Sequence, residues 1–165
     1  MRATFAGILH DAMVKDPSVY LIVADLGLGL FDKIRKDFPD RYINVGAAEQ
    51  LAVGVAIGLA LQSKRPFFYS ISPFAVLRPF ELLRTYVAHE NLNVQIIGSG
   101  VGSDYMHDGI SHHSDKIPEI LNALEMFCYI PETKDDLIAC MNEMLTCREP
   151  NCLLLHRSFP TESRR

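Results

Sequence analysis

The chain has 165 residues, 48% of them hydrophobic and 22% charged, with a formal net charge of -4 at pH 7. This length and composition predict one globular domain, residues 1–158, that buries a hydrophobic core, followed by a flexible polar tail over residues 159–165. A net negative charge provides no basic surface for nucleic acid, so we expect no nucleic-acid partner.

The cysteines and the apolar segments indicate a soluble cytoplasmic protein. No two cysteines have the Cys-x-x-Cys spacing of a zinc finger or a redox pair, so reduced thiols are the simplest interpretation. No apolar run approaches the ~20 residues that cross a bilayer, and the N-terminus lacks the apolar core of a signal peptide. We therefore expect no membrane partner. The four cysteines are Cys128, Cys140, Cys147 and Cys152.

Helical and strand-like patterns alternate along the chain. Helices are predicted over residues 4–15, 30–38, 47–61, 79–90, 117–124 and 133–147. Strands are predicted over residues 19–24, 42–45, 66–71, 94–99, 126–130 and 152–156. Continuously apolar strands separated by helices are typical of parallel sheets with both faces covered. We therefore expect an α/β fold, a three-layer sandwich with a mainly parallel six-stranded sheet.

Ligands of such sheets bind at the carboxyl ends of the strands. Those ends carry Asp25, the turn 46–49, the segment 70–78, the loop 99–115 and the pair His156-Arg157. These are the places where the sequence predicts a functional site.

The segment 41–61 runs from a strand through a glycine turn into a helix of small apolar residues, and Glu49 is its only acid. A buried carboxylate is costly unless it is paired, so Glu49 is a candidate functional residue. Gly54 and Gly58 lie on one helix face, which another backbone can approach closely. We expect this helix to be buried on most sides and pressed against a neighbour. The alternative is an ordinary first-turn glutamate favoured by the helix dipole.

Two other motifs have plain structural alternatives. Gly27-Leu-Gly29 suggests a dinucleotide fingerprint, but Asp32 stands where the third glycine belongs, so we favour an ordinary turn. Phe74, Arg78 and Phe80 combine aromatic rings with a cation, which suits a flat ligand. Core packing beside a surface arginine explains the same pattern equally well.

Three histidines, His107, His112 and His113, fall in one loop at the expected site edge. A metal site is conceivable there. However, no thiolate and no His-x-x-x-His helix accompanies them, and we expect no metal to be bound by this chain.

Four segments, in this order, resemble motifs of the transketolase superfamily of thiamine diphosphate enzymes. Arg41–Gln50 resembles the segment with the cofactor-activating glutamate, and Ser72–Glu81 the phenylalanine-arginine-glutamate segment. Asn91–Gly98 is similar to the following strand, and Asp108–His113 to the Asp-Gly-x-Ser/Thr-His motif. The resemblance covers residues 19–157 and is specifically to the pyrimidine-binding domain, which implies the thiamine diphosphate-binding fold.

The resemblance implies thiamine diphosphate as cofactor and assigns roles to residues of this chain. Glu49 would hydrogen-bond a ring nitrogen of the aminopyrimidine and so favour the tautomer that activates the thiazolium. His112 would hydrogen-bond an oxygen of the substrate or of the covalent intermediate, and Phe74 would stack on the pyrimidine. The implied catalytic residues are Glu49 and His112, and the implied cofactor-binding residues are Phe74, Arg78, Asp25 and Ile71.

The sequence departs from the family pattern in two ways. Many transketolases have a histidine near the position of Gly100 and more aromatic residues around Ile71 and Leu77, so we expect the shape and polarity of the substrate pocket to differ here. No Gly-Asp-Gly…Asn segment for diphosphate and magnesium is present in the chain. The resemblance therefore implies that the Mg²⁺ ligands come from a second polypeptide, a diphosphate-domain transketolase subunit, with a heterotetramer as the expected assembly.

The function implied by the resemblance is ketol transfer between sugar phosphates by a split transketolase-like enzyme, with this chain supplying the activating glutamate. Two alternatives stay open. The chain could belong to another thiamine diphosphate enzyme, of the decarboxylase or 2-oxoacid dehydrogenase type. It could also be a binding module without catalysis, although neither Glu49 nor the Asp-Gly-x-Ser-His motif is needed for folding.

Overall fold

The computed structural model describes residues 1–160 and contains one six-stranded sheet. Its strands are β1 (Val19–Val23), β2 (Tyr42–Asn44), β3 (Arg65–Ile71), β4 (Gln95–Ser99), β5 (Phe127–Tyr129) and β6 (Asn151–Leu155). The strand order is β2-β1-β3-β4-β6-β5, and every neighbouring pair is parallel. The predicted α/β fold is confirmed, with a sheet that is wholly rather than mainly parallel.

Helices cover both faces of this sheet. They are α1 (Arg2–Lys15), α2 (Asp32–Asp37), α3 (Glu49–Leu61), α4 (Ser72–Leu77), α5 (Phe80–Leu82), α6 (Ile117–Ala123) and α7 (Lys134–Thr146). Helices α1, α2 and α7 share one buried cluster with the sheet, and α3, α4 and α6 share the other. The three-layer arrangement is therefore also confirmed. No helix within residues 1–160 combines the length and the apolar character needed to cross a membrane.

The central strands supply both buried clusters because successive side chains point to opposite faces of a sheet. On β3, Phe67 and Tyr69 face α1 and α7, whereas Phe68 faces the layer that contains α3. Tyr69 packs edge to face on Phe31, with ring centroids 4.9 Å apart. The interior strands are apolar on both sides for this reason, which is the pattern that predicted a parallel sheet.

Helix α3 is buried on one side only, so the prediction that it is buried on most sides was wrong for this chain. Leu51 and Leu61 are 56% and 69% exposed on the opposite side. An added Cβ atom at Gly54 or Gly58 meets nothing within 4 Å. We call these four residues the open face of α3. The buried side consists of Glu49, Ala52, Val53 and Ala56.

Helix α4 lies in the segment 70–78, where no helix was predicted, so another helix precedes the one predicted over residues 79–90. Pro73 lies in the first turn of α4, where no backbone N–H is needed. Pro79 separates α4 from α5, and a π-helical stretch, Leu83–Ala88, continues α5. An added Cβ at Gly98 would lie 2.6 Å from Ser72 Oγ, so the glycine lets α4 begin directly against β4.

Arg41 joins α1 to the chain that leads into β2. Its guanidinium donates to the backbone oxygens of Met13 at 2.9 Å, Asp16 at 3.0 Å and Val19 at 3.3 Å. It also lies 4.4 Å from the ring centroid of Phe38. Carbonyl groups at the end of a helix have no partner within the helix, and Arg41 satisfies such a group here.

At the C-terminal end, Phe159 is buried within the cluster that contains α1 and α7. The tail that the sequence predicted from residue 159 therefore does not begin there. Residues 161–165 of that predicted tail lie outside the described residues.

Candidate active site

The carboxyl ends of all six strands lie at one edge of the sheet. The strand order reverses between β1 and β3, because the chain places β2 on one side of β1 and then β3 and β4 on the other side. Such a reversal opens a crevice in which ligands of parallel sheets bind. Asn44 organises this edge, because its Oδ1 accepts hydrogen bonds of 3.0 Å from the backbone N–H groups of Asp25 and Gly46. The turn into α3 is thereby fixed to the end of β1.

Glu49 lies in the first turn of α3, and only 4% of its side chain is exposed. Ser70, on β3, donates a hydrogen bond of 3.2 Å to Oε1. Arg78, which follows α4, donates one of 2.7 Å to Oε2. Both carboxylate oxygens therefore have partners, as a buried charge requires. The N-terminus of the helix adds a favourable field for the anion.

Phe74 lies between two other predicted site residues. The guanidinium carbon of Arg78 is 3.7 Å from its ring centroid. The His112 ring packs on it with a centroid distance of 4.8 Å and an interplanar angle of 66°. The Oγ of Ser111 lies 3.0 Å from Nδ1 of His112. Four of the six predicted site residues thus form one contiguous group, which we call the Glu49 cluster: Glu49, Phe74, Arg78 and His112, with Ser70.

The other two predicted site residues, Ile71 and Asp25, lie outside the Glu49 cluster. Ile71 ends β3, half buried, in register with Ser99 of β4. Asp25 follows β1 with a positive φ of 50° and lines a cavity of about 600 Å³. Other residues of this cavity, which we call the arginine cavity, include Arg2, Leu28, Tyr69 and Arg157. Asp25 thus faces a neighbouring space rather than Glu49.

Tyr105 connects the Glu49 cluster to the arginine cavity, and no sequence pattern pointed to this residue. Its hydroxyl accepts a hydrogen bond of 3.1 Å from Arg2 and lies 3.0 Å from Oγ of Ser99. Arg157 lies 5.2 Å from its ring centroid, and the His112 ring is 6.3 Å away. Arg2 and Tyr105 are 103 residues apart, so no local pattern could have paired them.

Gly100 has a φ of 93°, and an added Cβ would lie 2.4 Å from the ring of Tyr105. The glycine at this position therefore has a structural cause, because the tyrosine ring fills the space that a side chain would need. Asp104 fixes the same loop to the end of β6 by accepting from the backbone N–H groups of Val101 and Arg157 at 3.1 and 3.2 Å.

The Glu49 cluster fits an aminopyrimidine ring, since it combines a flat aromatic face with a carboxylate that can bond a ring nitrogen. It contains no comparable set of oxygen ligands for a metal. Within residues 1–160, no three side chains of His, Cys, Asp or Glu are grouped so that they could hold an ion together.

At the arginine cavity, burial raises the pKa of Tyr69, and the hydrogen bond of Tyr69 with Ser99 offsets part of this rise. This phenol stays uncharged.

Comparison with known proteins points to one family. Residues 1–160 match the family described as transketolase, pyrimidine binding domain. The chain is 31% identical over 159 residues to the 6-deoxy-6-sulfo-D-fructose transketolase subunit SqwH of Clostridium sp. (strain MSTE9), covering 95% of this chain and 49% of SqwH. It is 42% identical over 79 residues to an apulose-4-phosphate transketolase subunit of Actinobacillus succinogenes, covering 48% of this chain and 25% of that relative.

Among solved structures, a split gene transketolase described as an inactive beta4 tetramer superimposes with a TM-score of 0.83 and 28% identity. The match covers 95% of this chain and 51% of the solved chain. This chain thus spans about half the length of SqwH and of the solved protein. Because the family match extends over nearly the whole sequence, the chain belongs to the transketolase pyrimidine-binding domain family.

Proposed function

We propose that this chain is the pyrimidine-binding part of a split, thiamine diphosphate-dependent enzyme that transfers a ketol unit between sugars. The observation that carries the proposal is the buried carboxylate of Glu49, which is paired with Arg78, while the guanidinium of Arg78 stacks on the aromatic ring of Phe74. A carboxylate at this depth is expensive for folding, so a chemical role accounts for it better than a structural one. Relatives that are transketolase subunits support the same reaction class.

In this proposal, Phe74 stacks on the aminopyrimidine and Glu49 shares a proton with one of its ring nitrogens. Ser70 orients the carboxylate through Oε1, so the ring nitrogen would bond Oε2, the oxygen that Arg78 contacts in the structure. When bound, thiamine diphosphate supplies a thiazolium that stabilises a carbanion, which is the chemistry that ketol transfer needs. A proton-sharing carboxylate of this kind is the contribution of a general acid-base group.

The substrate would lie between His112 and the arginine cavity. His112 would hydrogen-bond an oxygen of the sugar, and Tyr105 connects it to the two arginines beyond. Guanidinium groups pair well with phosphate because their donors match its oxygens. We therefore assign a phosphorylated sugar as the substrate class, with its phosphate toward Arg2 and Arg157.

The diphosphate and Mg²⁺ would be held by a second subunit. The open face of α3 supports this, because Leu51 and Leu61 expose apolar surface around two glycines that allow close approach. We assign this face to a diphosphate-domain subunit, in an assembly with two copies of each chain. The free cysteines suit a cytoplasmic enzyme of carbohydrate metabolism.

Reconstitution tests the proposal. The chain is purified together with the diphosphate-domain subunit from its own organism and supplied with thiamine diphosphate, Mg²⁺, a ketose phosphate and an aldose phosphate. We expect mass spectrometry to detect the two-carbon exchange only when both chains are present. Decarboxylation of a 2-oxoacid without exchange would assign the chain to another thiamine diphosphate enzyme. Cofactor binding without any turnover would indicate a non-catalytic module.

A further inference from the structure

Arg78 contacts both groups that a bound aminopyrimidine would need, the carboxylate of Glu49 and the ring of Phe74. Its Nη1 is 2.7 Å from Oε2 of Glu49, the oxygen not engaged by Ser70. Its guanidinium carbon lies 3.7 Å above the ring of Phe74. The other aromatic contact of Phe74 is with the ring of His112. The arginine thus covers an aromatic face and a carboxylate oxygen at the same time.

A guanidinium group can make both contacts because it is flat, stacks on aromatic rings and donates to carboxylates in its own plane. An aminopyrimidine that stacks on Phe74 and forms a hydrogen bond with Glu49 is also flat and uses the same two partners. The two groups therefore compete for one position, and Arg78 cannot remain there when the ring is bound.

We propose that Arg78 is an internal occupant of the cofactor ring site, closing it in the free chain and leaving it when the cofactor binds with the partner subunit. This inference rests on the proposed function, because it concerns the same site. It assigns to Arg78 a gating role, in contrast to the direct cofactor contact that the sequence suggested.

The burial of the two charged groups differs in the way that such an exchange requires. The side chain of Glu49 is 4% exposed and stays with α3, whereas that of Arg78 is 47% exposed. Arg78 also precedes Pro79, where the backbone breaks between α4 and α5. Turning the arginine into solvent therefore displaces one long side chain, while the ring nitrogen takes its place on the carboxylate.

Arg78 also stabilises the free chain. A buried carboxylate without a partner strongly destabilises a protein, and Arg78 pairs Glu49 before any cofactor is present. The consequence for binding is a reduced apparent affinity, because only the fraction of molecules with the arginine displaced can accept the ring. Removing the arginine should therefore strengthen ring binding, which is the opposite of what a direct cofactor contact predicts.

The sign of this change is the test. In the complex reconstituted with the diphosphate-domain subunit, we measure the affinity for thiamine diphosphate by calorimetry, for the wild type and for Arg78→Ala. We expect Arg78→Ala to bind the cofactor about tenfold more tightly, as for a site that is closed in about nine molecules of ten. Unchanged or weaker binding by this variant would overturn the inference.

Two further variants make the result specific. Arg78→Lys keeps the charge but cannot stack flat on Phe74, so it should strengthen binding by less than Arg78→Ala and provides a test if the alanine variant does not fold. Arg84→Ala removes an exposed arginine from the π-helical stretch and should leave affinity unchanged. If Arg78→Ala weakens binding while Glu49→Gln still abolishes turnover, the gate fails and the proposed function stands. Full turnover by Glu49→Gln would reject the function itself.

Discussion

The Oγ of Ser70 donates a hydrogen bond of 3.2 Å to Oε1 of Glu49, across 21 residues of sequence. This bond connects the carboxyl end of β3 to the first turn of α3, so the sheet itself sets the orientation of the buried carboxylate. Rigid elements hold a functional group more accurately than loops do. The position of Glu49 therefore depends on β3 as much as on its own helix.

Glu49→Gln should fold normally and lose turnover in the reconstituted enzyme by at least about a hundredfold, the usual contribution of a general acid-base group. The amide keeps the size and can still accept from Ser70, but it cannot share a proton with a ring nitrogen. Steady-state rates measure the loss of turnover, and circular dichroism checks that the variant is folded. Glu143→Gln, at an exposed acid of α7 in the opposite layer, is the control. Wild-type turnover by Glu49→Gln would reject the assignment of the activating group.

Ser70→Ala should lower the free energy of unfolding by about 1 to 2 kcal/mol, because it leaves a buried carboxylate oxygen without its donor. Ser70→Thr retains the hydroxyl and should recover most of that loss. Chemical denaturation of the isolated variants measures the effect. Equal stability of the alanine variant and the wild type would mean that water replaces the serine hydroxyl and that β3 does not set the carboxylate orientation.

Gly54→Leu should block assembly with the diphosphate-domain subunit, because a side chain on the open face of α3 would separate two closely packed surfaces. The isolated variant should remain at least as stable as the wild type, since leucine is the better helix former and nothing lies within 4 Å. Sedimentation velocity with and without the partner measures assembly.

Gly7→Leu is the matched control for that experiment. Gly7 is also an exposed helical glycine with no atom near an added Cβ, but it lies on α1, in the opposite layer. It should assemble normally. If Gly54→Leu assembles as well as Gly7→Leu does, the partner binds elsewhere.

The isolated wild-type chain should show no measurable affinity for thiamine diphosphate and should gain it only with its partner. Its own contribution is one stacked ring and a few hydrogen bonds of about 1 kcal/mol each, which do not offset several kcal/mol of lost translational and rotational freedom. Calorimetry measures the binding. Micromolar affinity of the single chain would reveal an anion site of its own and would contradict the division of the cofactor between two chains.

The stability of the chain should fall in acid partly through Asp16. Burial opposes ionisation of this carboxyl, but hydrogen bonding to Ser18 and the charge of Arg65 outweigh it and lower its pKa below the ordinary value. A depressed folded pKa adds stability above the unfolded pKa, and this stability is lost as pH falls through the folded value. Asp16→Asn should therefore cost up to about 1 kcal/mol at pH 7 and little near pH 2.

Denaturation curves between these pH values check the trend. Asp40→Asn, at an exposed acid on the turn before β2, should show a smaller difference from the wild type at every pH. A constant difference between Asp16→Asn and the wild type across the range would show that the charge of Asp16 is not responsible.

The strands could be predicted because apolar runs of four to six residues carry their own signal. Helix α4 could not, because Pro73 and Pro79 both indicate breaks, although the first lies where a helix accepts proline. The burial of α3 was overestimated for a different reason. Its composition is apolar on every side, and sequence alone does not distinguish a face that packs on the sheet from one left for another chain.

For the site, the resemblance identified a group that the structure brings into contact, Glu49, Phe74, Arg78 and His112. It did not separate roles within a motif. Arg41 belongs to the same matched segment as Glu49, yet its guanidinium bonds backbone oxygens at the end of α1, far from the chemistry. Tyr105 was missed because the two arginines that it contacts, Arg2 and Arg157, come from distant parts of the chain.

The contact between Gly100 and Tyr105 restricts how this pocket can change during evolution. A side chain at position 100 would collide with the tyrosine ring and would have to adopt a backbone conformation that favours glycine. Replacing Tyr105 alone would instead open a void and release the hydroxyl that Arg2 and Ser99 contact. The two positions must therefore change together, and a lineage that acquired a polar side chain at one would be expected to carry a small residue at the other.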